Sequence, residues 1–267
     1  MQHSAAVWQD VQKIRGEAPL VHNITNYVVM NSSANALLAL GASPVMAHAL
    51  EEVEEMTALA RALVLNIGTL SPPWVEAMLR AGAVARKRGI PVVLDPVGAG
   101  ATAYRTATAR KLLKEVRPTI VRGNASEIRA LETHEARTKG VDSTHTSDEA
   151  LQAAVALART HGCVVSVSGV VDVIVSGDAT MRVANGHPMM SRVTGLGCTA
   201  SALTAAFAAV QSDSLRAAAH AMAVMGVCGE VAEEHSKGPG SFQMYFLDAL
   251  SLLSELDLGR RVRMEAA

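Results

Sequence analysis

The residues of this chain best suited to chemistry lie in one short run, Val193 to Phe207, V-T-G-L-G-C-T-A-S-A-L-T-A-A-F. Gly195 and Gly197 permit a tight turn and let a ligand approach main-chain N–H groups closely. From Cys198 onward the residues are small or apolar and uncharged, the pattern of a buried helix beginning. Its first N–H groups have no intrahelical partner, and its dipole turns a positive end toward the glycines, so the turn can hold an anion such as a phosphate. Glycines that merely end a strand would give the same letters. Cys198 stands in the first helical turn as a nucleophile, base or hydrogen-bond donor, with its thiolate favoured by the dipole. A small buried hydrophobe is the alternative.

Two acidic residues add to this. Asp95 opens D-P-V-G-A-G, and Glu127 follows R-G-N-A-S, which puts Arg122, Asn124 and Glu127 around one strand-to-helix turn. A Mg²⁺ ion needs only one or two carboxylates besides waters and substrate phosphates, so Asp95 and Glu127 are candidate metal ligands. As purely local structure they would be a helix cap and a first-turn partner of the dipole. In P-L-V-H-N-I-T-N-Y, Asn23, Thr25 and Asn26 are either turn formers or the polar groups of a small-ligand site. Met46 ends P-V-M, where a thioether can line an apolar pocket. The nine histidines show no i, i+4 pair, which argues against zinc. His22, His48 and His187 fall near candidate loops and read as structural or rim residues; Cys163 and Cys228 read as inert core.

A repeated strand–helix rhythm must position these groups. After an amphipathic helix to Glu17, strands are expected at Pro19 onward, Pro44–Ala47, Ala62–Ile67, Pro91–Leu94, Thr119–Val121 and Cys163–Val167. Helices alternate with them at Val29–Leu40, Glu51–Ala60, Pro72–Arg88, Arg105–Val116, Ala125–Glu132 and Ser147–Arg159. The strands are apolar throughout, which implies parallel pairing and helices on both faces of the sheet. The ligand crevice of such a sheet lies beyond the carboxyl ends of its strands. Those ends carry Asn23–Asn26, Met46–His48, Asn66–Thr69, Asp95–Gly100, Arg122–Glu127, and Ser168 with Gly169. The polar segment Thr133–Asp148 reads as a long loop. Val171–Val175 and Met181–Ala184 read as a hairpin around Gly177 and Asp178. Two core helices then pack across Ser212–Ser214, with Asp213 or Ser214 as cap, and a last helix runs from Phe242 to Leu256.

At 267 residues the chain is read as a single α/β domain over 1–267. Its net charge of −1 and lack of any basic run exclude nucleic acid and anionic membranes as main partners. The uncharged run Val193–Ser212 and the apolar run Ala217–Cys228 are core helices, not membrane spans. Three cysteines without C-x-x-C spacing, and an opening without a basic segment followed by an apolar one, point to a reducing, cytoplasmic setting.

The motifs V-H-N-I-T-N, L-L-A-L-G-A-S-P-V-M, L-N-I-G-T-L, L-D-P-V-G-A-G, R-G-N-A-S-E-I, V-T-G-L-G-C and K-G-P-G-S-F, in this order from Val21 to Phe242, resemble the hydroxyethylthiazole kinase family. The resemblance covers nearly the whole chain. It implies a ribokinase-like fold and ATP- and Mg²⁺-dependent phosphorylation of 4-methyl-5-(2-hydroxyethyl)thiazole in thiamine salvage, by a homotrimer with sites at subunit interfaces. By the same resemblance Asn23, Met46 and Gly195 contact the thiazole, and Arg122, Ser168 and Gly197 the nucleotide. Asp95 and Glu127 serve the metal, and Cys198 stands where most ribokinase-like enzymes have an aspartate base. The family's T-G-E is S-G-V here, Ser168–Val170, so a carboxylate is missing at Val170. The alternatives are a ribokinase-like, nucleotide-dependent lyase that repairs hydrated nicotinamide cofactors, and a nucleotide-binding protein without catalysis.

Overall fold

The computed structural model describes residues 2–132 and 146–267. Among the described residues, nine strands form one sheet in the order β2-β1-β3-β4-β5-β6-β7-β8-β9. They are β1 Leu20–Ile24, β2 Ser43–Val45, β3 Ala62–Asn66, β4 Val92–Asp95, β5 Ile120–Asn124, β6 Val164–Ser168, β7 Asp172–Ser176, β8 Ala179–Val183 and β9 Met264–Ala266. From β2 to β6 every pairing is parallel, and β7 to β9 add antiparallel strands at one edge. All of Ala62–Asn66 and of Val92–Asp95 is buried, as uninterrupted apolar strands require when both faces are covered.

One face packs against the helices Gln2–Glu17, Met30–Leu40, Leu196–Ala208, Ser214–His235 and Pro239–Leu252, around Phe207, Phe242 and Phe246. The other packs against Pro72–Arg88, Ala103–Val116, Ala125–Leu131 and Thr146–His161, around Leu65, Met78 and Leu94. Helix boundaries follow local signals. Gly41 and Gly89 close their helices in the left-handed conformation, and Asp213 caps Ser214–His235 by accepting from the Leu215 and Arg216 N–H groups. The helix Thr146–His161 begins inside the stretch expected as loop, and the remainder of that stretch lies outside the described residues.

Two departures are instructive. The parallel strand expected to stop at Val121 continues to Asn124, because β6 pairs with it as far as Asn124 opposite Ser168. That extension carries Arg122 to the sheet end in a fixed register. The final helix stops at Leu252, where Ser254 and Asp257 form a capping box and start a separate helix, Glu255–Arg261. The charged tail beyond it then pairs as edge strand β9, a role its polar letters hide. No described helix is long and apolar enough to cross a membrane.

A buried polar knot ties the opening helix to this frame. Asp10, 1 % exposed, accepts hydrogen bonds from His220 (2.7 Å), Gln211 (2.9 Å) and Lys13 (3.1 Å). Burial acts to raise the Asp10 carboxyl, but these donors outweigh it and hold the group below its ordinary value. Its stabilisation is therefore complete above the unfolded value of about 3.9 and fades as pH falls through the lower folded value. Asp10→Ala is expected to lose about 3 kcal/mol in urea melts at pH 7, since it strands buried donors. The gap to the parent should shrink below about pH 4; a pH-independent gap would show that the carboxylate's charge is irrelevant.

Candidate active site

The register of the parallel strands sets Asn66 directly beside Asp95, at the ends of β3 and β4. Asn66 Nδ2 donates to Asp95 Oδ2 at 2.8 Å, and Ser201 Oγ donates to the same oxygen at 2.7 Å. Ser201 is one helical turn beyond Cys198, so the helix Leu196–Ala208 presents both to the sheet end. The chain of bonds continues through Asn26 Nδ2, which lies 2.8 Å from Asn66 Oδ1 and 3.5 Å from Cys198 Sγ. Arg105 braces the two neighbouring turns, donating to the carbonyls of Ile67 (2.9 Å), Val97 (2.8 Å) and Gly68 (2.8 Å). Ser201 and Arg105 escaped sequence reasoning. The i, i+3 spacing from Cys198 was a signal for Ser201; nothing local marks Arg105.

Gly195 opens that helix with φ +85°, and a Cβ there would lie 2.6 Å from Val29 Cγ1. Both facts require glycine. The first intrahelical bond runs from Thr199 N to Gly195 O at 2.8 Å, so the N–H groups of Leu196, Gly197 and Cys198 precede it and project from the helix start. Arg122, 8 % exposed, donates through Nη1 to Gly197 O at 2.9 Å, and its buried Nε has no partner. A guanidinium under a helix N-terminus concentrates positive charge at the turn, and an unpaired buried donor there suits an anion.

These charges set the titration of the site. Burial pushes Asp95 up to about 6, against the pull of Arg122, Ser201 and Asn66. Burial, reinforced by Asp95, pushes the Cys198 thiol up to about 11. This corrects the expectation of a dipole-stabilised thiolate: desolvation and a neighbouring carboxylate outweigh the helix end, and the thiol is neutral at pH 7. Cys163 and Cys228 are buried, and burial pushes both thiols up.

The remaining predicted residues spread along the sheet end in strand order. Met46, half-buried, follows β2. Asn23 in β1 is buried, with Nδ2 on Val21 O at 2.9 Å and Oδ1 unpartnered. Asp95 ends β4, Arg122 lies in β5 and Ser168 ends β6. Ser168 Oγ makes one long contact, 3.4 Å to Gly123 O. Arg122, Ser168 and Gly197 line a cavity of about 560 Å³; Asn23, Met46, Gly195 and Asp95 do not line it. Glu127 forms a capping box with Asn124, its Oε2 accepting from Asn124 N (2.9 Å) and its Oε1 from Gly98 N (2.8 Å). It therefore fastens the D-P-V-G-A-G turn to β5, and each oxygen keeps a second lone pair. Among the described residues no three His, Cys, Asp or Glu side chains converge as a metal cage. Asp95 Oδ1 and Glu127 fit the Mg²⁺ mode, in which one or two carboxylates act with waters and phosphates. His22 is structural, bonded to Ala47 O (2.7 Å) and Thr57 Oγ1 (3.0 Å), and His48 packs edge-on against Trp74.

Because its folded value lies above the unfolded one of about 3.9, ionised Asp95 costs stability at high pH, and the cost fades as pH falls through about 6. Asp95→Asn keeps an acceptor for Ser201 and Asn66. In the ligand-free protein it is expected to be more stable than the parent by about 2 kcal/mol at pH 8, with the difference gone near pH 4. Urea melts of both proteins across that range check this, and a variant less stable than the parent at pH 8 would contradict it.

The whole chain has close relatives. The model of the hydroxyethylthiazole kinase family matches residues 11–255. A hydroxyethylthiazole kinase of Syntrophus aciditrophicus is 62% identical over 260 residues, covering 97% of this chain and 96% of the relative. The structure of a hydroxyethylthiazole kinase from Pyrococcus horikoshii OT3 superposes with a TM-score of 0.91 at 42% identity, over 98% of this chain and 99% of that one. At 12% identity, where only fold is informative, a ribokinase-like superfamily protein from Enterococcus faecalis gives a TM-score of 0.65 over 87% of this chain and 84% of that one. The sheet described above is thus ribokinase-like, and the chain belongs to the hydroxyethylthiazole kinase family.

Proposed function

We propose that this chain is a phosphotransferase that moves the terminal phosphoryl group of ATP to the hydroxyl of 4-methyl-5-(2-hydroxyethyl)thiazole, in thiamine biosynthesis or salvage. The observation that carries the reading is the order of groups along the sheet end. A small-ligand side at β2 and β1 (Met46, Asn23) and an anion side at β5 and β6 (Arg122, Ser168) flank Asp95 and the helix that begins at Gly195. Acceptor and donor would therefore meet at the helix N-terminus. Phosphoryl transfer requires mainly in-line positioning and neutralisation of the charge on the transferred group. The free N–H groups at Gly197 and Cys198, with Arg122 behind them, would hold the phosphates; Asn23, Met46 and Gly195 would hold the thiazole.

Cys198 would act as a neutral thiol. With Asn26 donating to its sulfur, the S–H remains free to orient the acceptor oxygen; in a loose transition state the hydroxyl proton leaves late and would pass to an oxygen of the transferred phosphoryl group or to water, so a strong base is not needed. Asp95 Oδ1 and Glu127 would hold Mg²⁺, which supplies charge neutralisation at the phosphates. The missing carboxylate at Val170, 97 % exposed, removes a charge that would help order the metal's waters, so metal dependence would be weaker or differently organised. A homotrimer with sites at subunit interfaces, in the cytoplasm, completes the proposal. The exposed apolar Tyr27 and Val28, directly after the Asn23–Asn26 segment, support an interface there, and a sedimentation mass of one chain would refute it.

The test is ATP turnover with the thiazole alcohol beside hydroxymethylpyrimidine, pyridoxal and ribose, titrated with Mg²⁺, for the parent, Cys198→Ala and Glu127→Gln. The thiazole alcohol should be preferred. Cys198→Ala should stay folded and slow by less than about 10²-fold, because a thiol that only orients the acceptor falls short of what a general base supplies. Glu127→Gln should need more Mg²⁺. Preference for another alcohol would reject the substrate while keeping the reaction class.

A further inference from the structure

We infer that the cavity beyond Arg122 accommodates the base of a nucleoside triphosphate without reading which base it is, so that ATP, GTP, CTP and UTP all serve as phosphoryl donors. This rests on the kinase reading above. The cavity starts at Arg122 and Gly197, beneath the anion turn, and extends to Met222, Met225 and Gly226 on the helix Ser214–His235. Its apolar lining includes Leu196, Ala200, Pro188, Met190, Met222 and Met225. A nucleotide with its phosphates at the turn would lay its base among these apolar groups.

Three side chains in the lining could read a base edge, and most of their donors are already committed. Asn185 Nδ2 donates to Glu230 Oε1 (3.1 Å) and Arg261 O (2.7 Å), while its Oδ1 accepts from Arg263 N (2.7 Å). His187 Nδ1 accepts from Met189 N (3.2 Å); its Nε2, 3.8 Å from Glu233 Oε1, makes no hydrogen bond, but the side chain is 35 % exposed, so any donation to a base competes with water. Ser191 spends its hydroxyl proton on Pro188 O at 2.8 Å. Two neighbouring backbone donors are occupied as well: Gly186 N donates to Glu230 Oε1 (2.9 Å) and Met190 N to His187 O (3.0 Å). Close packing keeps these groups where they are. A Cβ at Gly226 would lie 2.4 Å from Asn185 Cβ, so helix and Asn185 are in direct contact. The less committed polar groups, Ser168 and Asp172, belong to the Arg122 end, where the Arg122 charge acts on Asp172.

Discrimination between bases needs buried donors or acceptors that the wrong base leaves unpaired, which can separate analogues by about 10⁴- to 10⁵-fold; a purely apolar slot separates them by about 10- to 200-fold at most. Methionine side chains narrow even that range, because they are unbranched, re-pack around different outlines and contact aromatic faces favourably.

Calorimetric titration of the full chain with each of the four triphosphates, without the thiazole alcohol, tests this alongside initial rates with each as donor. Dissociation constants and kcat/KM values are expected to agree within about tenfold, the low end for an apolar slot. A larger preference for one base in binding and turnover overturns the inference and leaves the kinase reading intact. Failure of all four to bind overturns both.

Discussion

The site depends on one buried carboxylate. Asp95 is 2 % exposed at the end of a central strand, and it is held there by two donors on a single oxygen and by the Arg122 charge on the adjacent strand. An isolated carboxylate in such a place would simply take up a proton. Sheet register supplies Asn66, the helix Leu196–Ala208 supplies Ser201, and β5 supplies Arg122, so the ionised form stays accessible near neutrality at a cost in stability. The same helix start carries the anion turn and Cys198. Moving that helix would therefore disturb carboxylate, thiol and anion turn together.

The two sides of the sheet end differ in chemistry. Toward β1 and β2 the groups are amides and a thioether, suited to a small polar heterocycle. Toward β5 and β6 they are a guanidinium, a hydroxyl and helix N–H groups, suited to phosphates. Arg105 and Glu127 touch neither side in the same sense: each locks a strand-end turn through backbone groups, which keeps the central part rigid.

Much of this was legible in the letters. Apolar strands, glycine stops at Gly41 and Gly89 and the Asp213 cap expose the alternating architecture, and the strand ends name Asn23, Asn66, Asp95, Arg122 and Ser168 as neighbours. What stayed hidden is what only packing decides. Ser201 and Arg105 gain meaning from partners distant in sequence, Ser201 from Asp95 and Arg105 from Ile67. Strand β9 is a charged tail until β8 offers it an edge. The protonation of Cys198 was misjudged because the helix dipole can be read from local sequence, whereas burial and the proximity of Asp95 cannot.

At the centre stands the protonation of Cys198: burial, reinforced by Asp95, keeps it a neutral thiol, so that it acts by positioning. The pH dependence of Cys198 alkylation in the ligand-free protein and in Asp95→Asn tests it most directly, since Cys163 and Cys228 are buried and slow to react. The account predicts a rate still rising through pH 9 in the parent, because the thiol is pushed up to about 11, and a rise at lower pH once the Asp95 charge is removed. A rate already level below about pH 8 in the parent, under the ordinary thiol value of about 8.5, would mean a thiolate at neutral pH and would contradict it.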